Sequence, residues 1–238
     1  MNSGSRIKTP ELLGEFRKTV VEVPEAIARE SSGIKFFGKT IRSLLFSTDI
    51  AIIKNSNADA IIAVYPFTPH PAITNAIMEV ADVPVLCGVG GGTTQGQRSV
   101  NIALHAEFQG AIAVVLNAPA SLNTIRAVKD TVDIPVVYTV VSEFTDVNEK
   151  IAAGADIINV SGGQLTPVIV KKIRKSHKDL PIIATGGTSA ESIMATITAG
   201  ANAVTYTPPT NGELFRVKMD HYREEENQKY ERFKGNDS

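Results

Sequence analysis

Asp49, His70 and Glu143 are the side chains of this sequence that could exchange protons at a fixed position. His70 lies in Phe67-Thr68-Pro69-His70-Pro71, between two prolines whose fixed φ stiffens the loop. An imidazole titrates near neutrality, so one held rigidly on a loop suits general acid or base work. Asp49 follows Ser47-Thr48, and Glu143 follows Ser142; either carboxylate could pair with that imidazole. Each also has a plain structural explanation. Asp49 could cap a helix, and Glu143 could be a solvated loop carboxylate. No cofactor is implied. A single Mg²⁺ held by Asp49 and Glu143 is the one metal site the residues admit, because magnesium needs few protein ligands. His70, His105, His177 and His221 are scattered without a His-x-His pair, which disfavours zinc. No lysine ends an expected strand, which removes the nucleophile a Schiff-base aldolase needs. Cys87, the single cysteine, reads as core packing rather than as a nucleophile.

Three glycine-rich stretches offer backbone to a ligand. The first, Gly88 to Gly96, holds five glycines in nine residues, including Gly90, Gly91 and Gly92. It is neither a Walker motif nor a dinucleotide fingerprint. It could form a mobile lid with Arg98 as an anion clamp. The others are Ser161-Gly162-Gly163-Gln164 and Thr185-Gly186-Gly187-Thr188-Ser189. A helix N-terminus following such a turn presents free N–H groups to an anion.

The elements that would position these residues alternate in texture. Val- and Ile-rich runs at 41–47, 59–67, 83–89, 111–118, 134–141, 156–161, 181–185 and 202–207 read as buried strands, starting 18 to 28 residues apart. Helix-patterned stretches separate them. Eight βα units predict an α/β fold, a single (βα)8 barrel. The third, fifth and seventh strands open on Pro84, Pro135 and Pro181; the sixth and eighth follow Ala153-Gly154-Ala155-Asp156 and Ala199-Gly200-Ala201-Asn202. This two-strand period suits a barrel whose alternate strands fill alternate interior layers. The active site is then expected at the C-terminal strand ends. Besides the groups above, that face collects Tyr65, Asn117, Thr139, Asn159, Ser161, Thr185, Thr205, Tyr206 and Thr207. Of these, Tyr65, Asn117, Asn159, Ser161 and Tyr206, with Gly162 and Gly163, are the expected substrate contacts.

Residues 1–40 form an extension before the barrel at 41–222. It holds a short helix within Val23–Glu30 and a hairpin from Ile34, able to plug the N-terminal end of the barrel. Glu213–Tyr222 is the expected eighth helix. The tail at 223–238 reads as a charged, solvated helical extension. The chain has 238 residues, 43% hydrophobic and 21% charged, with net charge −1. That balance gives no reason to expect nucleic acid or a membrane surface as partner. No apolar run reaches the roughly 20 residues of a membrane helix, and no signal-like segment opens the chain. One cysteine fits a reducing, cytoplasmic setting. A homo-oligomer is compatible with all of this.

The stretch Leu180-Pro181-Ile182-Ile183-Ala184-Thr185-Gly186-Gly187-Thr188, followed by Ala199-Gly200-Ala201-Asn202-Ala203-Val204, resembles the end of the ribulose-phosphate-binding TIM barrels. These include thiazole synthase, histidine- and tryptophan-biosynthesis barrels and hexulose-phosphate synthases. The resemblance implies that Gly186, Gly187 and Thr188 hold half of a phosphate site. The other half departs from the family: Thr207-Pro208-Pro209-Thr210-Asn211-Gly212 replaces a Gly-Ser or Gly-Ala pair, and two prolines remove two backbone donors. Thr207, Thr210 and the N–H groups of Asn211 and Gly212 would have to compensate. The whole chain also resembles bacterial proteins labelled only as hydrolases, which share Phe67-Thr68-Pro69-His70-Pro71 and Tyr206-Thr207-Pro208-Pro209. The expectation is an enzyme acting on a small anionic, phosphorylated metabolite by isomerase, lyase or hydrolase chemistry. A barrel that binds a ligand without turnover is the alternative.

Overall fold

The computed structural model describes residues 10, 12, 14, 21–187 and 189–236. After a short helix α1 (Glu25–Glu30), strands β1 (Ile34–Phe36) and β2 (Lys39–Ile41) form an antiparallel hairpin, with Ile34 paired to Ile41. Eight parallel strands follow: β3 (Ser43–Phe46), β4 (Ala60–Ala63), β5 (Val85–Gly90), β6 (Ala113–Asn117), β7 (Val136–Val140), β8 (Ile157–Val160), β9 (Ile182–Thr185) and β10 (Ala203–Tyr206). Neighbours pair in chain order, and β10 closes onto β3 with Val204 opposite Ser43. Between them run α2 (Ile50–Lys54), α3 (Pro71–Val80), α4 (Gln97–Phe108), α5 (Leu122–Lys129), α6 (Val147–Ala152), α7 (Thr166–Ser176) and α8 (Ala190–Thr198). The expected (βα)8 barrel is the observed fold.

Strand alternation sorts the core into two shells. Leu45, Ile61, Val114, Tyr138, Ile158 and Ala184 point outward and pack under the helices. Leu44, Ile62, Leu86, Val115, Val137, Ile157, Ile183 and Ala203 point inward. Ile34, Phe36 and Ile41 of the hairpin join this inner cluster, so the hairpin closes the N-terminal end.

Hydrogen bonding explains the two-strand period at that end. The Asp59 carboxylate accepts from the N–H groups of Arg42 (2.8 Å) and Ser43 (3.0 Å), at the start of β3. Asp156 accepts from Val136 N–H at the start of β7 (2.8 Å) and is paired with Lys129 (2.8 Å). Asn202 Oδ1 accepts from Ile182 N–H at the start of β9 (2.9 Å). The prolines lack a donor and serve as acceptors: Pro84, Pro135 and Pro181 carbonyls take Ile61, Val114 and Ile158 N–H. One strand class therefore brings a side-chain acceptor and the next brings a proline.

The last helix, α9 (Asn211–Asn236), runs without a break at the expected boundary near Tyr222. Its interior lacks Gly and Pro between positions 213 and 234, and Asp220–Arg223, His221–Glu225 and Glu226–Lys229 pairs brace its surface. Leu214 packs against the outer core; Phe215, Val217, Tyr222, Tyr230 and Phe233 are exposed. No helix among the described residues is long and apolar enough to cross a membrane.

Candidate functional site

On four successive strands the inward-facing position changes character within one step. Val137, Ile157, Ile183 and Ala203 give way two residues later to Thr139, Asn159, Thr185 and Thr205. Together with Asn117, Ser161 and Thr207 these residues line a cavity of ≈ 330 Å³ at the C-terminal mouth, faced by Phe46, Ile62, Val64, Ala118 and Val141. Asn159 Nδ2 donates to Thr139 Oγ1 at 3.1 Å. Asn159 Oδ1 and Thr205 Oγ1 are buried and have no hydrogen-bond partner among the described residues. Thr205 is 5% exposed and Asn159 7%, so bulk water does not solvate them. Leaving such an atom unpaired costs about 1–3 kcal/mol, so each calls for a partner from outside the protein, a water or a ligand. The Thr139 hydroxyl can donate or accept. The Asn159 amide can therefore turn over and offer either its oxygen or its nitrogen to the cavity.

A second recess of ≈ 230 Å³ adjoins the first and shares Val64, Asn117 and Ala118 with it. Tyr65 to Phe67 and Pro69 form one side, and Gly88 with Gly90 to Thr94 the other. Glycine is required at Gly90 and Gly91. A Cβ on Gly90 would meet the Ser99 hydroxyl and the Thr94 carbonyl, and Gly91 has φ +129° against the Asn117 carbonyl. The loop expected to be a mobile lid is tied down. Gly91 N–H donates to Thr94 O (2.9 Å), Gly96 N–H to Thr124 Oγ1 (3.0 Å), Ser121 N–H to Gln95 Oε1 (3.0 Å), and Thr94 bonds Thr68 (3.1 Å).

The expected acid–base groups stand apart from this cavity. Asp49 Oδ1 accepts from Ala51 N–H (2.9 Å) and Ile52 N–H (3.2 Å) as the N-cap of α2. His70 is the N-cap of α3: Nδ1 accepts from Ala72 N–H at 3.2 Å, which places the proton of the neutral ring on Nε2. His70 N–H in turn donates to Tyr65 Oη at 2.8 Å, so the histidine is tethered to a residue that lines the second recess. Glu143 lines a separate crevice with Lys172 and His177, and its carbonyl accepts from Lys172 Nζ.

The expected anion and substrate contacts divide in the same way. Thr207, Asn117, Asn159 and Ser161 line the mouth, and Tyr65 with Gly90, Gly91 and Gly92 lines the second recess. Gly162 N–H is taken by Thr166 Oγ1 (3.0 Å), and Gly163 opens a 3₁₀ turn. Arg98 is exposed on the first turn of α4 and does not line either recess. Tyr206 faces outward, into a groove with Val21, Ile52 and Leu214, as strand alternation after Thr205 dictates. Thr188 lies outside the described residues.

The two helix N-termini of the expected phosphate site already hold carboxylates. Ser189 and Ser192 form a capping box on α8, and hydrogen bonds from the backbone N–H of Glu191 and from Ser189 hold the Glu191 carboxyl below its ordinary range. At α9, the Glu213 carboxylate accepts from Thr210 N–H and Oγ1–H, both at 2.8 Å, and these bonds lower it likewise. Asn211 and Gly212 lie within that first turn. Gly186 and Gly187 are needed for packing: a Cβ would strike Val204 on the first and Ser192 on the second.

No family model matches the chain. The 4-hydroxy-tetrahydrodipicolinate synthase of Methanothrix thermoacetophila is 25% identical over 181 residues, covering 65% of this chain and 61% of that protein. The chain thus spans about three fifths of that relative's length. A solved phosphonopyruvate hydrolase, in complex with oxalate and Mg²⁺, superposes with TM-score 0.58 at 16% identity, covering 78% of this chain and 80% of the other. The phosphoenolpyruvate phosphomutase of Streptomyces platensis subsp. rosaceus gives 0.57 at 15%, covering 79% and 82%. The chain has the fold of the TIM-barrel enzymes.

In this TIM barrel the mouth lining contains neither carboxylate nor imidazole nor thiol, and no group of three or more His, Cys, Asp or Glu among the described residues could hold a metal. The mouth offers a Mg²⁺ only neutral hydroxyl and amide oxygens. Asp49 and Glu143, the expected ligands, do not line the mouth. Cys87 points outward from β5 into the core, where burial pushes its thiol up to about 12. Thr139, Thr185 and Thr205, on the expected strand-end face but outside the expected substrate contacts, line the mouth, and so does Phe46, which the sequence does not single out. The signal for the threonines is the period-two switch from aliphatic to polar at the last inward position of β7 through β10.

Proposed function

We propose that the protein is a TIM-barrel enzyme acting on a small anionic metabolite seated in the axial mouth, by isomerase, lyase or hydrolase chemistry. The observation that carries this is the pair of buried, unpartnered polar atoms, Asn159 Oδ1 and Thr205 Oγ1, at the C-terminal end of the barrel. Hydroxyl and amide groups would hold a carboxylate or carbonyl oxygen there through neutral donors. A phosphorylated substrate, the finer expectation from the ribulose-phosphate-binding resemblance, fits less well. Glu191 and Glu213 place negative charge at the two helix N-termini where a phosphate would sit. His70 is our candidate for proton transfer because its backbone N–H is tethered to Tyr65, which lines the recess adjoining the mouth; the ring itself lines neither cavity. No step is routed through a metal.

A second reading, a ligand-binding barrel without turnover, is favoured by one observation: among the described residues no charged side chain lines the mouth or the adjoining recess. A cytoplasmic setting and a homo-oligomeric state belong to the same proposal; light scattering on the purified chain tests the latter.

The deciding experiment is a thermal-shift screen of small carboxylates, phosphorylated sugars and inorganic phosphate, with and without Mg²⁺. It is followed by NMR time courses on each stabilising compound. A ligand at a hundred times its Kd adds about 2.7 kcal/mol. Stabilisation by a carboxylate, with turnover that His70→Ala abolishes, supports the enzyme. Stabilisation without turnover moves the binding barrel ahead. Stabilisation by no anion would sink the anionic-ligand reading.

A further inference from the structure

The described lining of the mouth is polar chiefly on one side, where Ala118 and Val141 are the apolar members. Strands β7 to β10 present Thr139, Asn159, Thr185 and Thr205, whereas the neighbouring strands β3 and β4 present Phe46, Ile62 and Val64 to the same cavity. Phe46 is the last residue of β3 and is 40% exposed. An aromatic ring at a strand end inside a barrel is covered neither by helices nor by the hairpin, and water gains nothing by wetting it. On the opposite wall Asn159 Oδ1 and Thr205 Oγ1 lack hydrogen-bond partners among the described residues; on this wall Ile62 is buried and Val64 packs against the inner cluster, and the Phe46 ring is the apolar surface left open. One molecule meets both needs only if it is two-sided.

We infer that the ligand of the mouth carries a compact hydrocarbon or aryl group opposite its oxygen-bearing head. This rests on the proposed seating of a small metabolite in the mouth and adds the chemistry of its other end. The head faces Asn159 and Thr205, and the apolar group lies on Phe46 and Val64. The cavity of ≈ 330 Å³ bounds the size. At about 30 Å³ per water-sized unit the part of the ligand seated within it is on the order of ten non-hydrogen atoms.

The test uses two homologous series of probes, 2-oxo acids and 2-hydroxy acids, with side chains growing from methyl to butyl and ending in a phenyl member. Affinity is read by calorimetry on the full chain. The expected result is a Kd falling about fourfold per added methylene until the cavity fills. In Phe46→Ala, and in the nearly isosteric Val64→Thr, which guards against misfolding of the first variant, the slope drops to about twofold per methylene or less. A series flat with chain length in the wild-type protein overturns the inference and leaves the seated head intact. A steep slope unchanged in both variants overturns it as well, because the apolar contact then lies elsewhere. Binding by no member of either series overturns the reading of the mouth itself, and this inference with it.

Discussion

The two ends of the barrel meet the polar groups of their strands differently, although Ser31 Oγ beside the plug is also buried without a partner among the described residues. At the N-terminal end the N–H groups that open β3, β7 and β9 are met by Asp59, Asp156 and Asn202, and Ile34, Phe36 and Ile41 seal the interior. At the C-terminal end Asn159 Oδ1 and Thr205 Oγ1 are buried without partners beside an open cavity. A chain selected for stability alone would place aliphatic residues there, as it does one step lower on the same strands. The contrast sets a hydrogen-bonded, plugged end against an open one, and the open end is where we propose that a ligand binds.

The largest way to break the comparison is at the plug. Phe36 is 5% exposed within the inner cluster, and Phe36→Ala is expected to cost about 3–5 kcal/mol in urea unfolding. A loss under 1 kcal/mol would mean the hairpin does not seal the barrel. The next test pairs one substitution from each end. Asp59→Ala orphans two N–H groups and should lose about 2 kcal/mol, whereas Thr205→Val removes an unpartnered hydroxyl and should gain about 1 kcal/mol. If both lose stability, the mouth is not a strained site.

Smaller effects sharpen the boundary between site and scaffold. Cys87 has its folded pKa raised to about 12 from 9.0 by burial. The unfolded chain therefore ionises first as pH rises. Stability from this group is complete below about pH 9 and declines by up to about 1.4 kcal/mol per pH unit toward pH 12. Melting curves of wild type and Cys87→Ala should differ in slope over that window and run parallel below it. Smallest is Asp49→Ala, which removes the α2 cap for about 1 kcal/mol and should leave ligand affinity unchanged. A tenfold affinity loss in that variant would restore Asp49 to the site.

The fold was legible because periodicity and punctuation agreed. Pro84, Pro135 and Pro181 opening alternate strands, and Asp156 and Asn202 opening others, reflect a real division of hydrogen-bonding labour at one barrel end. The candidate site was legible in part. Asn117, Asn159, Ser161 and Thr207 were picked from strand ends, and they line the mouth. Thr139, Thr185 and Thr205 lie on the same strand-end face, but a threonine at a strand end carries no signal that separates a ligand contact from ordinary strand packing. Asp49, Glu191 and Glu213 show the converse difficulty. A carboxylate that caps a helix and one that does chemistry occupy the same kind of sequence position, and only the hydrogen bonds at Ala51, Ser189 and Thr210 separate them. Tyr206 faces away from the mouth because it follows an inward-facing residue, a consequence of period two that was available in the sequence.

The most direct test of a ligand site at the mouth is calorimetric titration of wild type and Thr205→Val with the carboxylate that stabilises the wild-type protein most, alongside their melting temperatures. A ligand site there requires Thr205→Val to melt no lower than wild type while its affinity falls at least tenfold. Equal affinity in the two proteins, or a Thr205→Val variant that melts lower and binds as well, would contradict it.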